Sequence, residues 1–348
     1  MLRWPATASA WGGGRMKIGL HYSFQVAPGE SSESVIRNGL EDIRWSDANG
    51  FSAIVFASHH FFDDCWVPRP IQMATAAAAV TRNVRVGTDI IILPLHHPVA
   101  VAEEAALCDV ISGGRFILGV GLGWQEGEYK GFGVPYRQRA RIYERSVDIV
   151  KRLLRGETVS DLDGHYKFEG ARVRPPPVNP NGVPLWMGAK VEAALERIAR
   201  VGDAWVMSPG IPMPLLAQRQ RFLKERIEAA GRAPFREWPL RRECFVAETD
   251  AKAWDLYAPA LRHEYGIVYR SLYPDYPEND STANLRAWGE KTFVIGSPET
   301  VADRFREFGR VLGTTEVLVR YQLPHVPRGA LTECLHGLKD VMGRIEGA

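Results

Sequence analysis

Two apolar segments stand close together in this chain of 348 residues: Val84-Arg-Val-Gly-Thr-Asp-Ile-Ile-Ile-Leu93 and Arg115-Phe-Ile-Leu-Gly-Val-Gly121. Each segment is short and rich in apolar residues, which predicts a buried β-strand. Between them, Pro98–Ile111 predicts a helix that begins with a proline and ends before Gly113-Gly114. A strand, a helix and a second strand in this order form a βαβ unit with parallel strands.

The same alternation recurs along the chain and predicts eight strand–helix units. Strands apolar on both faces, such as Ile90–Leu93 and Val317–Val319, suit a ring of strands covered by helices. We therefore predict a (β/α)8 TIM barrel, with one insertion after strand four and another, residues 266–290, after the seventh helix. The predicted strands are Lys17–Tyr22, Ser52–Ala57, Val84–Leu93, Arg115–Gly121, Val183–Gly188, Ala204–Ser208, Leu240–Ala247 and Thr315–Tyr321.

Composition narrows the class of protein. The 43 basic and 41 acidic residues give a net charge of +2 without a long run of one sign, so neither nucleic acid nor a membrane surface is the expected partner. Four cysteines lie far apart and form no C-x-x-C pair, which indicates reduced thiols and a cytoplasmic protein. We expect residues 1–15 to be a disordered tail and residues 16–346 to form a single domain.

Functional residues of such barrels lie at the C-terminal ends of the strands. These ends lack a clear pair of facing carboxylates, as a glycosidase requires, and the chain has no G-x-S-x-G nucleophile turn. Adjacent histidines at 59–60 and 96–97 point to opposite faces of a strand, so we predict no metal site. The candidate residues at these ends are Ser58, His59, Thr88, Gly121, Trp124, Gly188, Ala189, Lys190 and Val191.

The turn Gly188-Ala189-Lys190-Val191 joins the predicted strand five to its helix. Backbone N–H groups at a helix N-terminus bind phosphate, and Lys190 adds a positive charge. An ordinary tight turn is the alternative interpretation. The second glycine-rich stretch, from Gly119 to Gly123, reads G-x-G-x-G, which is not the spacing of a dinucleotide-binding fold.

Several segments together resemble the bacterial-luciferase-like superfamily of flavin-dependent monooxygenases. The pattern covers most of residues 16–325. The segments are Ala57-Ser-His-His-Phe61, Leu93-Pro-Leu-His-His-Pro98, Asp109-Val-Ile-Ser-Gly-Gly-Arg115, Gly119-Val-Gly-Leu-Gly-Trp124, Pro184-Leu-Trp-Met-Gly-Ala189 and Gly296-Ser-Pro-Glu-Thr-Val301.

The resemblance implies a barrel that uses reduced FMN and molecular oxygen to oxidise a small organic substrate. It also implies a separate NAD(P)H-dependent flavin reductase and a homodimer. The FMN phosphate is expected at Ala189, Lys190 and Val191, and the flavin ring near His59, Thr88, Gly121 and Trp124. By the same resemblance His59 is the catalytic general acid or base, and Ser58 stands where the family usually has glutamate.

Two other functions stay open. Leu122 stands where luciferase proper carries an arginine for the flavin phosphate, and Trp124-Gln-Glu-Gly-Glu128 with Phe132-Gly-Val-Pro135 resembles the deazaflavin-dependent branch, which transfers hydride without oxygen. A non-catalytic flavin-binding subunit is the other alternative. Aromatic residues in loops 61–69, 124–139 and 266–290 predict a partly apolar substrate, or else a packed lid or dimer contact.

Overall fold

A computed structural model describes residues 16–180 and 182–346 of the chain. The predicted N-terminal tail, residues 1–15, lies outside the described residues, and the assignment of one domain to residues 16–346 stays a prediction. Within the described ranges, no helix is long and apolar enough to cross a membrane.

The strands follow the predicted order, with boundaries that differ by one or two residues in most cases. They are β1 (Lys17–Tyr22), β2 (Ala53–Phe56), β3 (Arg85–Thr88), β4 (Ile91–Ile92), β5 (Phe116–Gly121), β6 (Val159–Asp161), β7 (Phe168–Ala171), β8 (Leu185–Ala189), β9 (Ala204–Met207), β10 (Pro239–Val246), β11 (Val294–Gly296) and β12 (Glu316–Arg320).

The helices begin and end where the sequence supplies caps. The hydroxyl of Ser297, for example, accepts a hydrogen bond from the N–H of Thr300, and Gly113 ends a helix at a φ of +68°. The helices are α1 (Ser32–Ala48), α2 (Pro70–Val80), α3 (Pro98–Ser112), α4 (Glu126–Gly131), α5 (Arg139–Leu154), α6 (Glu192–Val201), α7 (Met213–Ala229), α8 (Asp250–His263), α9 (Thr282–Gly289), α10 (Pro298–Leu312) and α11 (Arg328–Glu346).

Eight parallel strands of the described residues close into a ring in the order β1, β2, β3, β5, β8, β9, β10 and β12. β12 pairs with both β10 and β1, which completes the circle. The predicted (β/α)8 barrel is therefore confirmed. Its interior is packed with apolar side chains from facing strands, so it is a core and not a channel; this group comprises Ala53, Val55, Ile117, Trp186, Ala204, Val206 and Leu318.

The third predicted strand, Val84–Leu93, is wrong as one continuous strand. It divides into β3 and β4, and the peptide bond between Asp89 and Ile90 is cis. Gly87 pairs with Ile117 but Ile91 pairs with Val120, so one segment carries an extra residue between the two pairs. Such a bulge bends the strand and turns its last residues toward the barrel mouth.

Both predicted insertions are present, and each contains a helix that the sequence pattern did not indicate. After strand four, the predicted loop 124–139 includes α4, and the hairpin of β6 and β7 follows α5. After α8, a π-helical turn at Glu264–Val268 is followed by α9. The sequence pattern also did not predict β11, because this strand is only three residues long; it pairs with the C-terminal end of β10.

Candidate active site

A cavity of about 350 Å³ opens at the C-terminal ends of the barrel strands. This volume lies within the range of small-molecule and cofactor sites. The cavity brings together residues from strands that lie far apart in sequence. Of the sequence-predicted site residues, those that line it are Ser58, His59, Gly121, Trp124, Gly188, Ala189, Lys190 and Val191.

Thr88 is the predicted site residue that does not line the cavity. Its side chain is fully buried at the end of β3. The hydroxyl donates to the carbonyl oxygen of Gly119 at 2.7 Å and accepts from the N–H of the same residue at 2.9 Å. A Cβ on Gly119 would lie 1.9 Å from the carbonyl oxygen of Thr88, so this close approach requires glycine. Thr88 thus holds the strand break that presents Asp89 and Ile90 to the cavity.

His59 follows β2 and lines the cavity next to a buried carboxylate. Its Nδ1 lies 3.0 Å from Oε1 of Glu128, and the same oxygen accepts the backbone N–H of His60 at 2.8 Å. Because a carboxylate oxygen accepts hydrogen bonds, Nδ1 is placed to donate to Glu128, and Nε2 is the ring nitrogen left for other partners. The pair therefore orients the imidazole of His59.

Sequence reasoning missed Glu128 as the partner of His59. The family's glutamate position before this histidine is Ser58, whose hydroxyl instead donates to the carbonyl oxygen of Ile90 at 3.0 Å. The carboxylate comes from α4, 69 residues further along the chain. A signal was present in the acidic residues Glu126 and Glu128 directly after Trp124, but the segment was predicted to be a loop.

The other histidines near the mouth have structural contacts. His60 is buried edge-on against Phe132, with ring centroids 4.7 Å apart. Nδ1 of His96 lies 3.0 Å from a guanidinium nitrogen of Arg69, and Nδ1 of His97 accepts the N–H of Val99 at the start of α3. Neither His60, His96 nor His97 lines the cavity, and among the described residues no group of three metal-ligating side chains is found.

The buried histidines predict a loss of stability in mild acid. Burial lowers the pKa of His60 to about 4, and burial together with Arg69 lowers the pKa of His96 to about 3. Unfolded imidazole has a pKa near ~6.5, so below that pH the unfolded chain binds protons that the folded chain does not. Neither histidine therefore lowers the free energy of unfolding above about pH 6.5. Below that pH, each lowers it by roughly 1.4 kcal/mol per pH unit until the pH reaches the pKa of that histidine in the folded protein.

The measurement is urea unfolding of wild type and His60→Phe at pH 7.5 and pH 5. The phenyl ring keeps the contact with Phe132 and removes Nε2, which has no hydrogen-bond partner among the described residues. We expect the variant to lose about 2 kcal/mol less than wild type between the two pH values. Equal losses in the two proteins would mean that His60 does not contribute to the acid sensitivity.

An aromatic wall stands beside His59. We use this name for Trp66, Trp124, Tyr265, Tyr269 and Tyr273, all of which line the cavity. The ring of Trp66 meets His59 edge-on at 4.6 Å, and the ring of Tyr269 lies 6.2 Å from the same imidazole. Burial raises the pKa of Tyr269 and Tyr273, which keeps both phenols neutral. The wall is thus apolar, with neutral hydroxyl groups.

The predicted phosphate turn lies on another side of the same cavity. β8 ends at Ala189, and α6 begins after Val191, whose side chain makes no cap hydrogen bond. The first N–H groups of a helix need acceptors, so this end of α6 suits an anion. Lys190 is exposed beside the turn and adds a positive charge.

Charged side chains form the floor of the cavity, which sequence reasoning did not predict as part of the site. Arg241 of β10 and Asp89 both line the cavity. Beneath them, Nε2 of His21 lies 2.9 Å from the carbonyl oxygen of Asp89. Burial, assisted by the charges of Arg241 and Arg320, lowers the pKa of His21 well below its ordinary range, so the ring is neutral. A cation thus lies at the bottom of a mostly apolar cavity.

Comparison with known proteins identifies the family. The sequence profile described as luciferase-like monooxygenase matches residues 16–315. This chain belongs to the luciferase-like monooxygenase family. Protein y4vJ of Sinorhizobium fredii (strain NBRC 101917 / NGR234) is 31% identical over 173 residues, which is 50% of this chain and 49% of that protein. The 4-hydroxyprotoasukamycin monooxygenase of Streptomyces nodosus subsp. asukaensis is 27% identical over 317 residues, 86% of this chain and 85% of that one.

Solved structures share the barrel of this member of the family. Monooxygenase RslO1 from Streptomyces bottropensis aligns with a TM-score of 0.85 at 22% identity, over 96% of this chain and all of that one. The oxygenating constituent of 3,6-diketocamphane monooxygenase from Pseudomonas putida, in complex with FMN, gives 0.79 at 17% identity, over 95% and 98% of the two chains. An F420-dependent secondary alcohol dehydrogenase aligns with a TM-score of 0.76 at 17% identity, over 95% of this chain and 99% of that one.

Proposed function

We propose that this protein is a flavin-dependent monooxygenase that uses reduced FMN and molecular oxygen to oxidise a small organic substrate. The observation that carries the proposal is that His59 and the glycine turn at Gly188 line one cavity. A flavin needs its ring near the acid–base residue and its phosphate at the turn, and one shared cavity allows both. Monooxygenase relatives and a structural neighbour solved with FMN support the same assignment.

The residues present fit FMN. The backbone N–H groups at the start of α6 and the ammonium of Lys190 would hold the phosphate, while Ile90, Gly121 and Trp124 would contact the ring. Arg241, a partly buried cation, also lines this cavity. Bound reduced FMN supplies the electrons with which one atom of O₂ enters the substrate and the other leaves as water.

The protein's own side chains would bind the substrate and move a proton. His59, held by Glu128, would accept or donate a proton at Nε2. The aromatic wall would exclude water and bind a partly apolar substrate, with Tyr269 and Tyr273 available as hydrogen-bond donors. The buried carboxylate next to His59 speaks against a non-catalytic flavin-binding subunit, because such a subunit has no need to orient an imidazole.

A deazaflavin-dependent hydride-transfer enzyme is the second candidate. The specific observation in its favour is Leu122, which lines the cavity where luciferase proper carries an arginine for the flavin phosphate. The F420-dependent structural neighbour shares the barrel as well. Under this alternative the same cavity would hold the deazaflavin, and no oxygen would be consumed.

The deciding experiment is an anaerobic titration of the purified protein with reduced FMN and, separately, with a reduced deazaflavin, followed by fluorescence. We expect reduced FMN to bind at least about tenfold more tightly, a difference of about 1.4 kcal/mol. A second measurement adds a flavin reductase with NADH and FMN and compares oxygen uptake with and without this protein. Binding of the deazaflavin alone would contradict the proposal and favour the second candidate.

Two further parts of the proposal rest on the family alone: a separate NAD(P)H-dependent flavin reductase and a homodimer. A cytoplasmic location is a third part, and it rests on the four separate cysteines. The reductase is required because the enzyme consumes reduced FMN in every turnover. Co-purification with a reductase and the mass of the native protein in solution are the measurements for the first two.

A further inference from the structure

Arg241 points into the barrel although it stands in a run of charged residues. It occupies the same register position as Leu318, and Leu318 belongs to the apolar group inside the ring. The next residue, Arg242, points the other way and donates to the carbonyl oxygens of Ser208 and Ile211. Arg241 therefore brings a positive charge to the floor of the cavity, beneath the predicted flavin ring.

Among the described residues, the guanidinium of Arg241 has one contact with a possible hydrogen-bond acceptor, the imidazole of His21. Its Nη1 lies 3.3 Å from Nε2 of His21. That nitrogen is 2.9 Å from the carbonyl oxygen of Asp89 and must donate to it, so it cannot also accept from Arg241. Nε of Arg241 has no partner either within the described part of the chain. A partly buried cation on a cavity wall whose guanidinium lacks an acceptor among the described residues is typical of a site for an anionic ligand group.

The neighbouring carboxylates do not neutralise Arg241 by direct contact. Oδ2 of Asp89 lies 3.6 Å from the imidazole of His21, and Oε1 of Glu243 lies 3.5 Å from the guanidinium of Arg320. Burial lowers the pKa of Arg241, but the charges of Asp89 and Glu243 more than offset this and raise it above its ordinary value. Arg241 is thus charged at neutral pH.

Two parts of FMN are anionic, and only one of them changes with redox state. The phosphate has the same charge in both states, whereas the ring is neutral when oxidised and carries a negative charge on its pyrimidine edge when reduced at neutral pH. Lys190 lies at the phosphate turn. The charge of Arg241 interacts with that of Asp89, and the next residue, Ile90, packs against Gly121, where the ring is expected. A charge near the ring alters the electronic properties of the cofactor.

We infer that Arg241 is a cofactor-binding residue that stabilises the negative charge of the reduced flavin ring and makes the cavity selective for reduced over oxidised FMN. The inference rests on the proposed function, since it assumes that FMN is the ligand. It also gives a physical reason for taking up flavin from a separate reductase, because only the reduced form would bind tightly.

The test measures dissociation constants for oxidised FMN in air and for reduced FMN under argon at one pH. We expect Arg241→Met to raise the dissociation constant of reduced FMN about tenfold more than that of oxidised FMN. This change in ratio equals about 1.4 kcal/mol, or a decrease of about 30 mV in the two-electron potential of the bound flavin. A spectroscopic titration of that potential is an independent readout.

Two matched variants complete the test. Arg241→Lys keeps the charge and should retain most of the preference for reduced FMN. This variant also allows the test to be made if Arg241→Met folds poorly. Lys190→Met should weaken both redox states by the same factor, because the phosphate charge does not change. The inference would be overturned if Arg241→Met changed the dissociation constants of oxidised and reduced FMN equally. It would also be overturned if the variant raised the KM for substrate and changed neither dissociation constant. In both cases, binding of FMN by wild type would still uphold the proposed function. Wild type that binds neither form would refute both.

Discussion

Replacing His59 with alanine is expected to lower turnover by about 10²–10⁴-fold, the usual contribution of a positioned general acid or base. The imidazole is fixed by Glu128 at 3.0 Å and surrounded by the aromatic wall. Removing it leaves a space that free imidazole can enter, so added imidazole should restore part of the rate. The measurement is steady-state kinetics with any substrate that wild type turns over, together with the dissociation constant for reduced FMN.

The control for this prediction is His336→Ala, the same substitution at an exposed histidine on α11 that stacks on Trp45. Its turnover should match that of wild type. Glu128→Gln tests the positioning role: the amide keeps the shape of the side chain but loses the charge, so kcat should fall while KM and flavin binding stay unchanged. Unchanged turnover in His59→Ala with saturating substrate would exclude an acid–base role for this residue.

Replacing Arg320 with methionine is expected to lower the free energy of unfolding by about 3–5 kcal/mol. Arg320 is fully buried and donates to Oε1 of Glu264 at 2.6 Å and to Oε1 of Gln25 at 2.6 Å. Its guanidinium also lies 4.7 Å from the ring centroid of Trp66. The variant leaves Glu264 and Glu243 buried without their cation, and the cost of an unpaired buried charge accounts for the large effect.

Urea unfolding of the two proteins at pH 7.5 measures the difference. Arg344→Met is the matched control, because Arg344 is exposed and pairs with Glu299 and Asp340 on the surface, where ion pairs contribute little. A decrease below about 1 kcal/mol in Arg320→Met would mean that water or bound protons compensate the two carboxylates. Because Glu264 begins the turn that carries Tyr265 and Tyr269 to the cavity, the variant should also bind substrate more weakly.

The sequence was sufficient for the barrel because eight short strand-like runs alternate with helical patterns, and several of these runs are apolar on both faces, as buried parallel strands must be. It was not sufficient for the break between β3 and β4. That break depends on the hydroxyl of Thr88, which forms hydrogen bonds with both the N–H and the carbonyl oxygen of Gly119. The two residues are 31 positions apart, so the periodicity of a single strand does not indicate this contact.

The site shows the same division. Residues at the strand ends, such as His59 and Gly188, could be predicted because the fold itself directs those ends to one mouth. Glu128 could not, since its segment lacks strand periodicity and its partner lies 69 residues away. Arg241 stands in the run Leu240-Arg-Arg-Glu-Cys244, which indicates a solvent-facing strand when considered alone. Only closure of the ring turns one of those charges inward.

The mouth of the barrel is assembled from segments between Ala57 and Tyr273, so its shape exists only in the folded chain. A molecule that fits there binds the native state and not the unfolded one, and at a hundred times its dissociation constant it adds about 2.7 kcal/mol to the free energy of unfolding. An increase in the melting temperature therefore indicates that a compound binds, even when the reaction of that compound is not known. A library of organic compounds could be ranked by thermal shift in the presence of saturating flavin, before any product has been sought.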